Sequence, residues 1–246
     1  MQKPAHNPTV LFQNKIKIYS DGADKASMLE MIRNPLISGI TTNPSLMKKA
    51  GVTDYRTYCK DILQSITTMP ISFEVFSDEF PEMKKQAAEI NSWGKNVYVK
   101  IPICNTKGES SIPLIKELSH QGVKLNVTAI FTATQATQTI DAVKGGAPSI
   151  VSIFAGRLTD SGYDPAPIMS GASMYARECD PNVEVLWAST REVYNIIQAE
   201  LCGCHIITAP PDILKKLNLF GKTPMDLCLD TVGTFKKDSD SAGFKL

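Results

Sequence analysis

Lys100 has no stabilising reason to sit where it does. It interrupts the run Asn96-Val97-Tyr98-Val99-Lys100-Ile101-Pro102, which is otherwise apolar and rich in β-formers. Alternation places Tyr98, Lys100 and Pro102 on one face of a strand, and Val97, Val99 and Ile101 on the other. An amine turned into a packed interior loses hydration, which disfavours its charged form. A neutral amine is a nucleophile, and its usual partner is a carbonyl. This segment alone favours a blander reading, a strand-end lysine snorkelling to solvent. That reading weakens because other polar residues punctuate comparable runs: Asp21, Thr41-Thr42-Asn43, Glu74, Asn126 with Thr128, Ser152 and Ser189. Polar side chains in buried strands are costly unless paired, so a set spread over so many runs reads as a site.

The elements that must position these residues alternate regularly. Short β-like runs occur at 16–21, 39–43, 71–76, 96–102, 124–131, 148–155, 183–189 and 204–210. Between them lie stretches of helical period: 25–33, 82–93 with Met83, Ala87 and Ile90 on one face, 111–120, 134–143, 165–178 and 191–201. Gly94, Gly122, Gly145-Gly146 and Gly203 supply helix stops before the next run. Eight such units in 246 residues have the size of an α/β (β/α)8 barrel, whose functional side chains lie at the C-terminal strand ends or point inward. A doubly wound sheet is the alternative, but no GxGxxG opens a helix after the first strand. No linker divides the chain, so one domain over 1–246 is expected, with a loose lead-in at 1–15 and a C-terminal helix and tail at 222–246.

Composition narrows the function classes. A net charge of +1 without charge blocks argues against nucleic acid or a membrane surface as partner. No apolar run approaches the ~18–20 residues of a membrane span, and the N-terminus lacks the apolar core of a signal peptide. Six scattered cysteines show no CxxC or metal-ligand spacing, and buried or partly buried free thiols in a reducing cytoplasm are expected. His205 opens an apolar run, where a packed histidine is favoured over a ligand.

Six segments resemble the transaldolase family. Gly39-Ile40-Thr41-Thr42-Asn43-Pro44-Ser45-Leu46 resembles its signature around the second strand, and Val99-Lys100-Ile101-Pro102 its Schiff-base lysine motif on the fourth. Asn126 to Phe131, Ser152 to Arg157, Ala188 to Arg191 and Gly203 to Thr208 followed by Pro210 are similar to its later motifs. The match runs in register from about Ile16 to about Leu217. The resemblance implies a single transaldolase-like barrel with a C-terminal helix packed outside, on the barrel itself or on a neighbouring copy in a homo-oligomer. It implies a metal-free, cofactor-free enzyme of the non-oxidative pentose phosphate pathway. Such an enzyme moves a dihydroxyacetone unit from sedoheptulose 7-phosphate or fructose 6-phosphate to an aldose phosphate.

By the same resemblance, Lys100 forms the Schiff base, Glu74 and Thr128 hold the water that shuttles protons, and Asp21 is the general acid–base. Asn43, Thr42, Asn126, Ser152 and Phe154 line the donor site, and Arg157, Ser189 and Arg191 clamp the phosphate. Thr190 departs from the aromatic residue expected beside Arg191. A fructose-6-phosphate aldolase that releases free dihydroxyacetone is the nearest alternative; those enzymes carry glutamine and tyrosine where Glu74 and Phe154 stand. A catalytically silent sugar-phosphate-binding barrel is the alternative from another class.

The residues also have plainer uses. Asp21 could start a turn, although Asp24 is better placed to cap the helix at 25–33. Ser45 is expected mainly as a cap. The connection from Arg157 to Pro167 is long enough to cover a barrel mouth, and equally ordinary as a βα link.

Overall fold

A computed structural model of the chain describes residues 16–245; the expected lead-in at 1–15 lies outside the described residues. Eight parallel strands close into a barrel in sequence order: β1 (Lys17–Asp21), β2 (Ile37–Thr41), β3 (Ile71–Glu74), β4 (Val97–Pro102), β5 (Leu125–Ile130), β6 (Ser149–Ile153), β7 (Val183–Trp187) and β8 (Ile206–Ala209). The helices between them are α1 (Lys25–Met31), α2 (Pro44–Lys49), α3 (Tyr55–Ser65), α4 (Phe80–Asn91), α5 (Ile112–His120), α6 (Ala133–Val143), α7 (Ala155–Asp160), α8 (Ala166–Cys179) and α9 (Asn195–Leu201), with α10 (Pro211–Leu214) after β8. This is the α/β barrel architecture that the alternation of periods implies.

Alternation along each strand sorts side chains into two cores. On β4, Val97, Val99 and Ile101 are fully buried on the outward face, with α4 among the elements packed against the strand. The outer core continues through helix stripes such as Met83, Ala87 and Ile90 of α4, all buried as expected. Inside the barrel, Tyr19, Ile150, Leu186, Ala188 and Ile206 cluster, with Tyr98 and Phe154 packed against them. Gly39 is what admits the Tyr19 ring, because a Cβ at that position would lie 2.4 Å from it.

Strand ends fall short of the sequence expectation where loop chemistry intervenes. The run 39–43 yields β2 ending at Thr41, because the Asn43 side chain turns away to accept the Leu46 amide and cap α2. The cap is therefore Asn43, not Ser45. Asp24 caps α1 through the Ser27 amide, as anticipated. The last β7 residues, through Ser189, leave the ladder because Ser189 takes φ 65°, outside the strand region. Helix α9 starts four residues late: Asn195 Oδ1 accepts the amides of Arg191 and Glu192 and holds that turn apart from the helix.

The described residues form two compact units, the barrel to Leu214 and a second unit from Lys215. The second contains a 3-10 turn at Lys215–Leu219 and α11 (Pro224–Ala242), a helix longer than the amphipathic stretch at 225–235, none of whose residues is buried. Cys228 on it is exposed, unlike the buried or partly buried thiols expected. Among the described residues, no helix is long and apolar enough to cross a membrane.

Candidate active site

The register of the barrel places the polar residues opposite one another. Glu74 pairs with Lys100 and Lys100 with Asn126 across β3, β4 and β5, while Asp21 pairs with Thr41 across β1 and β2. All of these point inward. Around them lies a cavity of about 490 Å³ lined by Asp21, Asn43, Glu74, Lys100, Asn126, Thr128, Ser152, Phe154, Arg157, Ser189 and Arg191. Thr42 alone among the candidates is not part of its lining. That side chain is fully buried, and its hydroxyl donates to the Ser72 carbonyl at 2.8 Å. Thr42 meets the site through its own carbonyl, which accepts from Lys100 Nζ at 3.0 Å.

Lys100 is 6% exposed. Its amine is not isolated among apolar groups, as the strand alone suggests: Glu74 Oε2 lies 3.2 Å away. The β3–β4 register makes that pair inevitable, since the two residues are directly opposite. Burial pushes both neighbouring carboxylic acids above the usual carboxylate range. For Asp21, the Lys100 charge and the Thr41 hydroxyl pull the other way. For Glu74, Lys100 again opposes, while the Asp21 charge adds to the rise.

Two hydrogen-bonded chains tie these groups to the wall. Thr41 Oγ1 donates to Asp21 at 2.8 Å and lies 2.6 Å from the Thr208 hydroxyl. Asn126 donates to Ser72 Oγ at 2.9 Å and accepts from Ser152 at 2.6 Å. Thr128 differs: its hydroxyl is buried without a protein partner, a group that a bound molecule would satisfy. Just beyond it the β5–β6 register shifts and Ala129 takes φ 60°, a bulge that re-aims the strand end.

The mouth is built differently. Arg157 stacks on Phe154, its guanidinium carbon 5.4 Å from the ring centroid. Arg191 grips Asp160 through Nε at 2.9 Å and Nη2 at 2.5 Å. Thr190, where an aromatic residue was expected, is buried and donates to the Thr208 carbonyl. Gly156 lets α7 pack on the strained turn after β7, because a Cβ there would lie 1.6 Å from the Ser189 carbonyl oxygen. The connection after Arg157 is thus partly helical, and it delivers Asp160 to Arg191.

Sequence reasoning missed Ser72 and Thr208 and left Thr41 without a role. The signal for two of them was available, since Ser72 lies two residues from Glu74 on the inward face and Thr41 is in register with Asp21. Thr208 stands beside Tyr19 and joins the site through the Thr41 hydroxyl. The arrangement can hold a phosphorylated polar chain by its far end, present an amine to a carbonyl, and move protons through two carboxyl groups. Among the described residues, no group of three or more His, Cys, Asp or Glu could hold a metal ion.

Comparison with known proteins identifies the family. A family model described as transaldolase/fructose-6-phosphate aldolase matches residues 18–245. A "Probable transaldolase" of Thermoanaerobacter sp. (strain X514) is 35% identical over 231 residues, covering 94% of this chain and 100% of that protein. Another "Probable transaldolase", from Methanococcus maripaludis (strain C5 / ATCC BAA-1333), is 37% identical over 202 residues, covering 82% of this chain and 89% of its own. Among solved structures, a 3-hexulose-6-phosphate synthase superposes with a TM-score of 0.56 at 16% identity, covering 83% of this chain and 98% of that one, which speaks to the fold alone. The chain belongs to the transaldolase/fructose-6-phosphate aldolase family and is an enzyme of that class.

Proposed function

We propose that this enzyme transfers a dihydroxyacetone unit between sugar phosphates through a Schiff base on Lys100. One observation carries the reading: a lysine 6% exposed, lining the cavity, whose amine lies 3.2 Å from a largely buried carboxylate. Lys100 attacks the ketone carbon of sedoheptulose 7-phosphate or fructose 6-phosphate, giving a carbinolamine. Glu74 is placed to take the amine proton and, with the Thr128 hydroxyl, to protonate the departing hydroxyl as water. The resulting iminium draws electrons from the adjacent carbon–carbon bond. Asp21 removes the proton of the C4 hydroxyl, the C3–C4 bond breaks, and an aldose phosphate leaves. Its raised pKa makes it a stronger base than an ordinary carboxylate. The same group protonates the new alkoxide when the enamine attacks an acceptor aldehyde, and hydrolysis of the iminium returns Lys100.

The remaining residues hold the chain of the sugar. Asn126 and Ser152, already locked together, orient the hydroxyls of the dihydroxyacetone unit, with Asn43 at the rim. Arg157, Ser189 and Arg191 meet the phosphate, where a guanidinium makes two parallel hydrogen bonds. We favour transfer over release of free dihydroxyacetone because Glu74 and Phe154 stand where the aldolases carry glutamine and tyrosine.

Incubation with fructose 6-phosphate, borohydride reduction and mass spectrometry test the proposal. A stable adduct on Lys100, lost in Lys100→Met together with all turnover, is expected. An adduct elsewhere, or undiminished turnover in Lys100→Met, defeats it. Fructose 6-phosphate should be consumed only when erythrose 4-phosphate or another acceptor aldehyde is present; steady release of free dihydroxyacetone would move the enzyme to the aldolase side.

A further inference from the structure

Glu74 ends its strand with a backbone that β2 can no longer satisfy. In β3, Ile71 and Val75 donate their amides to Asn96 and Lys100 on the β4 side. Alternation therefore turns the backbone groups of Ser72 and Glu74 toward β2. Ser72 finds its partner there, because its carbonyl accepts from the Thr42 amide at 3.3 Å. By the next residue pair the chain of β2 has turned into α2 at Pro44. The amide and carbonyl of Glu74 would then be left unpaired at the edge of the cavity, at the cost of unmade buried hydrogen bonds.

One side chain supplies both. The Tyr55 hydroxyl accepts from the Glu74 amide at 2.9 Å and donates to the Glu74 carbonyl at 3.0 Å. Tyr55 opens α3 and does not line the cavity. Its ring is wedged between Phe76, edge-on at 5.6 Å, and Trp93 at 6.2 Å. Burial also holds its hydroxyl protonated far above ordinary pH, so the donor persists throughout the range in which the enzyme would work.

We propose that Tyr55 is a positioning residue for Glu74: its hydroxyl stands in for the missing strand and fixes the peptide from which the carboxylate reaches Lys100. The inference rests on the proton-shuttling role proposed for Glu74. A phenylalanine at this position keeps the aromatic wedge and removes both hydrogen bonds. The end of β3 then gains freedom, and displacement of a reacting group by about 1 Å can cost on the order of a hundredfold in rate.

The test is Tyr55→Phe alone and combined with Glu74→Gln, with borohydride trapping on Lys100 followed in time. Tyr55→Phe should lower kcat between about tenfold and a hundredfold with KM nearly unchanged. It should slow adduct formation in parallel and displace the acidic limb of the kcat–pH profile. In the Glu74→Gln background the same change should do nothing further. Wild-type kcat and pH profile in Tyr55→Phe, or a full additive loss in the double variant, overturns the inference. If Glu74→Gln itself is fully active, the role of Glu74 fails first and the positioning role falls with it. Should Tyr55→Phe not fold, amide exchange in the unmodified enzyme decides: a protected Glu74 amide supports the clamp, and exchange at the rate of an unprotected amide overturns it.

Discussion

The floor and the mouth of the barrel are built by opposite means. On the floor, Glu74, Lys100, Asn126 and Ser152 sit on strands, are mostly buried, and are locked by register and by one another. At the mouth, Arg157, Ser189 and Arg191 sit on a short helix and on strained turns. There the Arg191–Asp160 pair is half exposed, at 47% and 52%. An exposed pair of that kind is worth about 0–1 kcal/mol, so a phosphate can displace Asp160 at little cost. Breaking a buried pair such as Lys100–Glu74 leaves an uncompensated charge and costs about 3–5 kcal/mol. Under the proposed function the contrast has a reason: bond making wants groups that do not move, whereas capture and release of a phosphate want groups that exchange partners easily.

Substitutions at the two ends should therefore fail differently. Asp21→Ala removes a base from the floor and should lower kcat by about 10²–10⁴-fold while KM changes little; a loss confined to KM would erase the distinction. Gly156→Ala attacks the mouth through its backbone. Because the new methyl collides with the Ser189 carbonyl, destabilisation of about 1–3 kcal/mol and a raised KM for phosphorylated substrates are expected in denaturation and steady-state assays. Arg191→Lys loses the two-pronged grip and should raise KM for the sugar phosphate by about tenfold, with kcat at saturation nearly preserved; an equal fall in kcat would place Arg191 in the chemistry.

The smallest effect concerns stability. Burial raises the pKa of Asp21 in the folded state, so between the unfolded value, about 3.9, and the folded one the native state binds more protons. Stability then falls as pH rises through that window. Asp21→Asn should thus raise the melting temperature at neutral pH, and the gain should vanish near the unfolded value. A variant destabilised at neutral pH would mean that the charge is fully compensated.

Fold and floor were legible in the sequence for one reason: both follow from period. Alternation in β4 put Lys100 on a different face from Val97, Val99 and Ile101, and the same rule found Asp21, Glu74, Asn126 and Ser152. The mouth was harder to read, because turns obey local hydrogen bonds instead of period. Asn43 displaced Ser45 as the cap, Asn195 delayed α9, and Ser189 left its strand at positive φ.

The sequence by itself determined which side chains face inward and hence the inventory of the site, because strand parity is a local property. Only the tertiary structure decided partnership. It set Lys100 against Glu74, showed Thr42 serving through its carbonyl, made Asp160 the companion of Arg191, and brought Tyr55 to the end of β3. Those contacts depend on barrel closure and strand register, which bring together residues far apart in the chain and which no local pattern encodes.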